Sequence, residues 1–292
     1  MLKSKVFLIA ALCISVTTAG ISNSASVEIS QNRTYRVVAP ANLNSSKGHP
    51  VILFLHGYTS SSLAVEKFFG MTNLAKSKGV ISVFPEGSTD AWGATFWNAT
   101  PACCNFFDST VDDSEYLIDL IEEVSTKYSI DKRRVYLAGH SNGGFMAHRM
   151  ACDHSDKIAG VISVAGAIFD QIQECKATSP VSVLQVHGIQ DQVISYESSL
   201  LNGQRYPSAK QSVNAWARIG GCELSPVKLK KKLGLEATSS NLETSATTFS
   251  KCKGSVGVQL WSMSGVGHNP KFNKTFSQMA LQFLLDHPKK LN

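Results

Sequence analysis

A candidate nucleophile lies in the middle of the chain, where residues 139–143 read Gly-His-Ser-Asn-Gly. An apolar, β-favouring run precedes this G-x-S-x-G pentapeptide, and a helix-compatible run follows it. That context is typical of a nucleophile elbow, a sharp strand-to-helix turn that exposes the central serine hydroxyl above the sheet. The turn brings the residues two before and two after the serine together, and Gly139 and Gly143 leave room for that approach. We therefore predict that Ser141 is a nucleophile; the alternative is a glycine-rich turn without chemistry.

A serine hydroxyl needs a base within hydrogen-bond reach and a group that orients the base. In chains with an elbow, these partners follow the serine in the order acid, then histidine. Asp191 is the only acid between Glu174 and Glu197, and it directly follows a predicted strand. His268 ends the sequence Gly-Val-Gly-His after the last predicted strand. We predict Asp191 as the orienting acid and His268 as the base, although aspartate is also common in ordinary turns.

Other histidines compete for the role of base. His140 is adjacent to the serine but is expected to point away from it. His187, at a strand end before a glycine, is expected to be a packed structural residue. His148, His154 and His287 lie on or beside predicted helices and are expected to face solvent. His268 is preferred to all of them because it lies in a flexible turn after the last predicted strand, from which it can reach back over the sheet edge.

Negative charge that develops on a carbonyl under attack must be met by hydrogen-bond donors. The backbone N–H of Asn142, at the start of the elbow helix, is one candidate donor. The backbone N–H of Tyr58, in the loop after an early strand, is the second. His56, in the same loop, is expected to be a hydrogen-bonded scaffold residue. Four aromatic residues are candidate substrate-binding walls, with ordinary packing as the alternative for each: Tyr58, Trp92, Trp97 and Phe107.

The elements that must position these residues alternate between strands and helices. Strands are predicted at 34–38, 50–55, 80–84, 135–138, 158–164, 181–186 and 256–263, and helices at 63–78, 114–128, from the elbow to about 152, 209–218 and 272–286. A long loop covers 86–111, and 223–250 is a polar excursion with one short strand at 247–249. The alternation predicts a single α/β domain with a mostly parallel central sheet and helices on both faces. In such sheets the active groups gather at the carboxyl ends of the strands.

The composition is that of a globular domain with mild positive charge. The chain has 292 residues, 43% of them hydrophobic, and a net charge of +6. This length fits one large α/β domain or two small ones, and no internal repeat or linker divides it. The most basic run, at 228–232, is expected to be a solvated surface loop, so no nucleic-acid partner is predicted.

The N-terminus has the features of a secretory signal peptide. A basic start precedes an uncharged apolar run at 6–16 and a stretch of small residues that ends at Ala25. Cleavage after Ala19 or Ala25 would remove two lysines and leave a mature catalytic domain near 26–292 with a net charge of +4. The apolar run is too short to span a bilayer. We therefore expect a secreted or periplasmic protein, monomeric and without a membrane partner.

Six cysteines remain after the predicted signal peptide, namely Cys103, Cys104, Cys152, Cys175, Cys222 and Cys252. An even count in an exported chain indicates disulfides. Adjacent cysteines rarely bond each other because the bridge is strained. The first two are therefore expected to bond the next two, in either of two arrangements, and the last two to bond each other. No pair has zinc-ligand spacing, and neither a metal nor an organic cofactor is expected.

Taken together, the motifs resemble those of one enzyme family. They are His-Gly-Tyr at 56–58, the block from Trp97 through Cys103-Cys104 to 111–113, the elbow at 139–144, His187-Gly188 with Asp191, and Gly-Val-Gly-His at 265–268. In this order they resemble the secreted polyhydroxybutyrate depolymerase-like branch of the α/β-hydrolases, which is itself similar to feruloyl and acetylxylan esterases. The resemblance covers roughly residues 30–285 and departs where Asn269-Pro270 follows the histidine in place of a Thr-Trp-Pro type sequence.

The resemblance implies an α/β-hydrolase fold, a Ser141–Asp191–His268 triad, three disulfides and hydrolysis of carboxylic esters through an acyl-enzyme. The substrates that it implies first are hydroxyalkanoate polyesters or oligomers and short-chain esters. The alternative is a feruloyl or acetylxylan esterase that acts on plant cell-wall polysaccharide. A hydrolase fold used only for binding is a third reading, against which the order of the triad residues argues.

Overall fold

Short apolar runs of the sequence become the strands of one central sheet. The computed structural model describes residues 26–43, 45–239 and 241–290, and the signal peptide predicted for 1–25 lies outside them. The strands are β1 (Ser26–Ser30), β2 (Arg33–Val38), β3 (His49–Leu55), β4 (Ile81–Pro85), β5 (Ser88–Thr89), β6 (Thr95–Phe96), β7 (Ile130–His140), β8 (Gly160–Val164), β9 (Ser182–Gly188), β10 (Ser199–Leu201), β11 (Gln204–Tyr206), β12 (Glu223–Lys228), β13 (Thr244–Ser250) and β14 (Val258–Met263). The α-helices are α1 (Ser62–Phe69), α2 (Thr72–Ser77), α3 (Asp113–Lys127), α4 (Asn142–Asp153), α5 (Ala209–Ile219) and α6 (Lys274–Leu285). In this part of the chain, no helix has the length and apolar composition needed to cross a bilayer.

The main sheet has the strand order β1-β2-β4-β3-β7-β8-β9-β14-β13-β12. Neighbouring strands from β4 to β14 run parallel. The pairs toward both edges are antiparallel. Two small antiparallel pairs, β5-β6 and β10-β11, stand apart from the main sheet. The mostly parallel central sheet predicted from the alternation of strands and helices is confirmed.

Both faces of the sheet are covered, which explains why its central strands are apolar throughout. All of β3 is buried, with Val51, Leu53 and Leu55 on one face and Ile52 and Phe54 on the other. The first face packs against α3, α4 and α5, and the second against α1, α2 and α6. Because successive side chains of a strand alternate between faces, a strand buried on both sides shows no apolar–polar alternation.

The structure departs from the predicted elements at several places, including the short strands β5, β6, β10 and β11, which were not predicted. The helix predicted over 63–78 is divided into α1 and α2 at Gly70, whose φ of 58° lies in the left-handed region that glycine adopts readily. The stretch predicted as a polar excursion contributes β12 and β13, and β1 has no counterpart among the predicted strands. All of β12 is exposed at the sheet edge, so it lacks the hydrophobic pattern from which strands are predicted.

The disulfides are Cys103–Cys104, Cys152–Cys175 and Cys222–Cys252. The last pairing is confirmed, whereas the expectation that the two adjacent cysteines bond the next two is wrong. The Cys103 sulfur lies 3.6 Å from the side-chain nitrogen of Asn142, in the first turn of α4. Cys152 is in the last turn of the same helix, about 15 Å further along its axis. A disulfide requires Cα atoms within about 7 Å of each other, so Cys152 bonds the nearby Cys175 instead.

Candidate active site

The pentapeptide at 139–143 forms the sharp turn that its glycines predict. Ser141 alone separates the end of β7 from the start of α4. Its backbone has φ 55° and ψ −120°, and non-glycine residues rarely adopt positive φ. A Cβ on Gly139 would lie 1.9 Å from the carbonyl oxygen of Gly143, so only glycine fits there. The predicted close approach across the elbow is confirmed.

Three of the predicted residues meet in one hydrogen-bonded row at the carboxyl ends of three strands. Ser141 follows β7, Asp191 lies just beyond β9, and His268 lies in the loop after β14. His268 Nε2 is 3.0 Å from Ser141 Oγ, and His268 Nδ1 is 2.8 Å from Asp191 Oδ2. Because a carboxylate oxygen only accepts, the imidazole carries its proton on Nδ1 and offers Nε2 as an acceptor to the serine hydroxyl.

The Asp191 carboxylate is held at both of its oxygens. Oδ1 accepts the backbone N–H groups of Val193 and Ile194, each at 2.9 Å, and Oδ2 accepts from His268. Burial opposes the ionisation of Asp191. The N–H groups of His187, His268 and the adjacent backbone outweigh burial and hold the pKa of Asp191 well below its usual range. The carboxylate is therefore ionised at neutral pH and fixed in orientation.

The ring of His140 does not point away from the site as expected. It lines the same pocket as Ser141. Its Nε2 donates to the carbonyl oxygen of His268 at 3.0 Å, and the ring stacks on Phe68 with centroids 4.1 Å apart. Burial and the neighbouring His268 lower the pKa of His140 to about 4. His140 is therefore neutral at pH 7, and it holds the backbone of the loop that carries His268.

Two backbone N–H groups near Ser141 have no protein partner among the described residues. A Cβ on Gly57 would lie 3.4 Å from the Ser141 Cβ, so the loop that contains Tyr58 reaches the nucleophile. The N–H groups of Tyr58 and Asn142 donate to no group in the described ranges. Asn142 is the first residue of α4, a position where N–H groups favour negative charge. These are the two donors that the sequence motifs predict. That they donate hydrogen bonds to an oxyanion stays a prediction.

The side chain of Asn142 clamps the long loop of 86–111 against α4. Its Oδ1 accepts the N–H of Trp97 at 2.7 Å, and its Nδ2 donates to the Trp97 carbonyl at 2.9 Å. The Trp97 indole N–H donates to the carbonyl oxygen of His56 at 2.9 Å, and Trp97 is 0% exposed. The prediction that Trp97 is a substrate-binding wall is therefore wrong. Its ring lies beneath the loop and ties it to the segment that carries Tyr58.

A pocket of about 520 Å³ opens beside Ser141. It is lined by the loop after β3, by α1 and by the residues that follow His268. Val65 and Phe68 of α1 supply an apolar wall, and Asn269 adds a polar side chain to the lining. An apolar wall beside a nucleophile and a base provides space for one acyl or alcohol group of a substrate.

Of the other predicted walls, Tyr58 lines this pocket and is firmly held. Its hydroxyl donates to Asp90 Oδ2 at 2.6 Å, and its ring meets the edge of Phe106 at 5.2 Å. Burial and the Asp90 carboxylate raise the pKa of Tyr58 to about 12, so the hydroxyl stays neutral. Trp92 and Phe107 form an edge-to-face pair 4.6 Å apart, outside the pocket lining, and Trp92 is 81% exposed.

The remaining histidines differ in burial from one another. His56 makes two hydrogen bonds to backbone groups through its ring, as expected of a scaffold residue, and His187 is buried as expected. His154 and His287 are half-buried. His148 is 0% exposed, so the expectation that it faces solvent is wrong. The signal in the sequence was the scarcity of charge in α4, whose charged residues are Arg149 and Asp153, one turn apart on one edge of the helix.

The arrangement is suited to acyl transfer. A hydroxyl, an imidazole and a carboxylate form one row, and two N–H donors border the hydroxyl. Within the described residues, no group of three or more His, Cys, Asp or Glu side chains is arranged to hold a metal ion.

Comparison with known proteins identifies relatives of this chain. A family model described as phospholipase/carboxylesterase matches residues 36–215. Feruloyl esterase B of Piromyces equi is 28% identical over 257 residues, which are 84% of this chain and 44% of that protein. Poly(3-hydroxyalkanoate) depolymerase C of Paucimonas lemoignei is 24% identical over 238 residues, which are 75% of this chain and 54% of that protein. The chain thus spans about half the length of these curated relatives.

Among solved structures, an acetyl xylan esterase from Aspergillus awamori matches with a TM-score of 0.65 at 15% identity. The match covers 89% of this chain and 98% of that chain, and at this identity it concerns the fold alone. The α/β-hydrolase fold implied by the motifs is confirmed. The family match covers more than half of the chain and includes Tyr58, Ser141 and Asp191. The chain therefore belongs to the phospholipase/carboxylesterase family of α/β-hydrolases.

Proposed function

We propose that the protein is a serine esterase that hydrolyses carboxylic esters through an acyl-enzyme. The observation that carries this proposal is the row Asp191–His268–Ser141, with separations of 2.8 Å and 3.0 Å between the bonded atoms. The row gives the hydroxyl a base and gives the base an orienting acid, beside a pocket that admits a substrate. Membership in a carboxylesterase family supports the same chemistry.

The reaction proceeds in two halves. Ser141 Oγ attacks the ester carbonyl carbon while His268 Nε2 takes the hydroxyl proton, and Asp191 offsets the charge of the imidazolium. The carbonyl oxygen becomes an oxyanion between the N–H groups of Tyr58 and Asn142, which stabilise it more than they stabilise the neutral carbonyl. His268 returns the proton to the leaving alcohol, and the acyl group stays on Ser141. Water, deprotonated by His268, then attacks the acyl carbon and releases the acid.

Hydroxyalkanoate polyesters or oligomers and short-chain esters are the first substrates in this proposal. The apolar pocket wall of Val65 and Phe68 suits a short aliphatic or hydroxyacyl chain. The pair formed by exposed Trp92 and half-buried Phe107 is proposed as an outer contact for a longer substrate. The relative named poly(3-hydroxyalkanoate) depolymerase C supports this substrate class.

A feruloyl or acetylxylan esterase is the second candidate. The relative from Piromyces equi is named feruloyl esterase B and matches 84% of this chain. Tyr58 and Phe68 both line the pocket, where their rings offer faces or edges to a feruloyl ring. A hydrolase fold used only for binding would need neither the row of three side chains nor the two N–H donors.

We propose that the enzyme works outside the cytoplasm, after loss of residues 1–25. The disulfides among the described residues are of a kind that persists in oxidising compartments. The mature chain of 26–292 would then be one catalytic domain. In this proposal the enzyme is a monomer that acts without metal, organic cofactor, nucleic acid or membrane partner.

The substitution Ser141→Ala tests the mechanism. Because no nucleophile remains, the turnover of p-nitrophenyl butyrate should fall by at least about 10³-fold. The melting temperature should change little, since only the hydroxyl is removed. Ser199→Ala, at an exposed position on β10, is the matched control and should keep full turnover. Wild-type turnover in Ser141→Ala would remove the mechanism.

The substrate class is assigned by one parallel experiment. The purified enzyme is offered hydroxybutyrate oligomers, amorphous polyhydroxybutyrate film, methyl ferulate and acetylated xylan, and kcat/KM or the rate of acid release is compared. Preference for the oligomers and the film supports the first candidate. Preference for methyl ferulate or acetylated xylan supports the second and rejects the first. Ser141→Ala supplies the background rate for each substrate.

A further inference from the structure

A second row of buried polar side chains crosses the core and is not used by the mechanism above. It runs from Trp216 on α5 through His148 on α4 to Gln185 and His187 on β9. Each of the four residues is at most 1% exposed. Trp216 Nε1 is 2.9 Å from His148 Nδ1, and His148 Nε2 is 2.9 Å from Gln185 Oε1. Gln185 Nε2 is 3.3 Å from His187 Nδ1.

The direction of each hydrogen bond in the row is fixed by groups whose polarity cannot change. An indole N–H only donates, so His148 accepts at Nδ1 and donates from Nε2. Gln185 therefore turns its oxygen to His148 and its NH₂ to His187, and its 2.9 Å bond to the carbonyl of Gly166 requires the same orientation. His187 accepts at Nδ1 and donates from Nε2, which the carbonyl of Ile194 at 2.9 Å also requires.

The row ends at the carboxylate of the triad. His187 Nε2 is 3.5 Å from Asp191 Oδ2, the oxygen that accepts the Nδ1–H of His268. The His187 N–H is thus directed at the Ile194 carbonyl and lies close to Asp191 Oδ2. Asp191 Oδ2 accepts one hydrogen bond, from His268, and feels the nearby dipole of the His187 N–H. The attraction of Asp191 for protonated His268 therefore depends on how much of the carboxylate charge His187 compensates.

We propose that this row is a hydrogen-bond relay that orients the Asp191 carboxylate and sets its attraction for protonated His268. The relay rests on the proposed triad mechanism, and its members are positioning residues that do not touch the substrate. Hydrogen bonds in a chain polarise one another in a low-dielectric core, so the far end of the row influences the near end. Every buried side-chain nitrogen and oxygen of the relay has a partner. Burial lowers the pKa of His148 to about 4, so that link stays neutral in the working range.

Few charged or titratable groups surround the relay. Its effect on the pH dependence of turnover can therefore be measured with little interference from other groups. His187 contacts Asp191 and the edge of the Tyr196 ring, 5.7 Å away. His268 contacts Asp191 and His140, whose ring centroid is 5.0 Å away. In the described ranges, the other relay members form no hydrogen bond to a charged side chain. A change at His187 that shifts the pH dependence of turnover therefore acts through Asp191 or through His140, whose pKa His187 also influences.

Two substitutions at His187 separate a relay from simple packing. His187→Phe keeps a ring but removes the N–H, whereas His187→Gln places an amide N–H near the position of the ring Nε2. In His187→Phe, Asp191 attracts protonated His268 more strongly. The midpoint of the acid limb of kcat/KM should then move to higher pH by about 0.5 unit. We expect kcat to fall about tenfold at unchanged KM because the carboxylate is less well oriented. His187→Gln should restore the wild-type midpoint and most of kcat.

The far end of the relay has a matched control in a second buried tryptophan. Trp216→Phe removes the donor to His148, whereas Trp261→Phe removes an indole donor that bonds Gln259 outside the relay. Trp216→Phe should shift the acid limb in the same direction as His187→Phe, by about 0.2 unit. Trp261→Phe should leave the midpoint unchanged, although both variants lose a similar packed ring. Equal midpoints in the two tryptophan variants would contradict transmission along the row.

A measurement on the unaltered enzyme covers the case in which a variant does not fold. Ring ¹⁵N chemical shifts of labelled histidine report which nitrogen carries the proton. Between about pH 6 and 8, the relay requires a proton on Nε2 and none on Nδ1 in both His148 and His187. A proton on Nδ1 of either ring overturns the relay, as does a wild-type acid limb in His187→Phe. The tautomers do not depend on turnover, so failure of the esterase proposal and failure of the relay are distinguishable.

Discussion

Ser141 keeps its positive φ because the groups on either side of it are fixed. Its N–H donates to the Val164 carbonyl at 2.8 Å, and its carbonyl accepts the N–H of Phe145 at 3.0 Å. The first partner lies on β8 and the second in the first turn of α4, so a strand and a helix jointly fix the backbone conformation of the serine. Strain of this kind persists only where the surrounding structure over-determines it. At the residue scale, the reactive hydroxyl therefore depends on its backbone neighbours as much as on the histidine.

The elbow glycines give a prediction at this scale. In Gly139→Ala the new Cβ would lie 1.9 Å from the Gly143 carbonyl oxygen, so the turn must open. We expect kcat to fall by about 10²-fold or more, because Ser141 Oγ leaves the reach of the base. In Gly234→Ala the nearest atom is the end of the flexible Leu242 side chain at 3.3 Å, and activity should be unchanged. Steady-state kinetics on both variants test this expectation, with urea denaturation as a check of folding. Full activity in Gly139→Ala would contradict the requirement for glycine at this position.

At the scale of elements, α4 is where the supports of the site meet. Its first turn carries Asn142, which clamps the loop of 86–111 through Trp97. Its second turn contributes His148 to the relay, and its last turn is bonded to Cys175. A helix that is buried except at its Arg149–Asp153 edge transmits small shifts, because close-packed interiors leave little room for adjustment. Substitutions along α4 should therefore affect turnover at distances from Ser141 at which surface changes do not.

The disulfides give a prediction at the same scale. Cys222–Cys252 ties the chain just after α5 to the chain just after β13 and closes a loop with a sequence separation of 30. The double substitution Cys222→Ser/Cys252→Ser should lower the free energy of unfolding by about 3–4 kcal/mol, from the entropy that the unfolded chain regains. Cys103–Cys104 closes no loop, so Cys103→Ser/Cys104→Ser should cost far less of this entropy. Guanidinium denaturation measures both, and equal losses would reject the loop-entropy account.

At the scale of the whole molecule, buried and half-buried histidines couple folding to pH, among them His56, whose pKa is lowered by burial. The pKa values of His140 and His148 are both lowered to about 4, by burial first and, for His140, by the neighbouring His268. An unfolded imidazole takes up a proton below about pH 6.5. The folded protein takes up these protons only near pH 4, so acidification favours the unfolded state throughout this window. Asp191, whose pKa is also lowered, adds to the loss at still lower pH.

This coupling gives a measurable slope. The free energy of unfolding should fall by about 1.4 kcal/mol per pH unit for each of the two histidines as the pH decreases from about 6 to 4.5. His148→Gln keeps an N–H donor for Gln185 but does not titrate, so it should lower the slope by about 1.4 kcal/mol per pH unit. Denaturation curves at a series of pH values test this expectation. A free energy that stays flat across the window in the wild type would contradict the lowered pKa values of His140 and His148.

The sequence by itself determined the parts that follow from local backbone demands and from the order of strands. The spacing of Gly139 and Gly143 around Ser141 predicts the elbow, because only glycine permits such a close approach. Asp191 and His268 each follow a predicted strand. The carboxyl ends of parallel strands share one sheet edge, which is why side chains far apart in the sequence could be placed together. The helices were predictable because burial of one face leaves a periodic pattern of apolar residues. The central strands were predictable because burial of both faces leaves a short continuous apolar run.

Only the tertiary structure decided which of several chemically equivalent neighbours a residue meets. The sequence allowed Trp97 to be a pocket wall, but its hydrogen bonds to Asn142 in the structure hold it under the loop. The partner of Cys152 depended on the distance between the two ends of α4, which the order of cysteines does not encode. His148 and Gln185 form a row with a defined direction only because α4, α5 and β9 pack together. Such pairings depend on the distances between segments remote in sequence, and no local pattern carries that information.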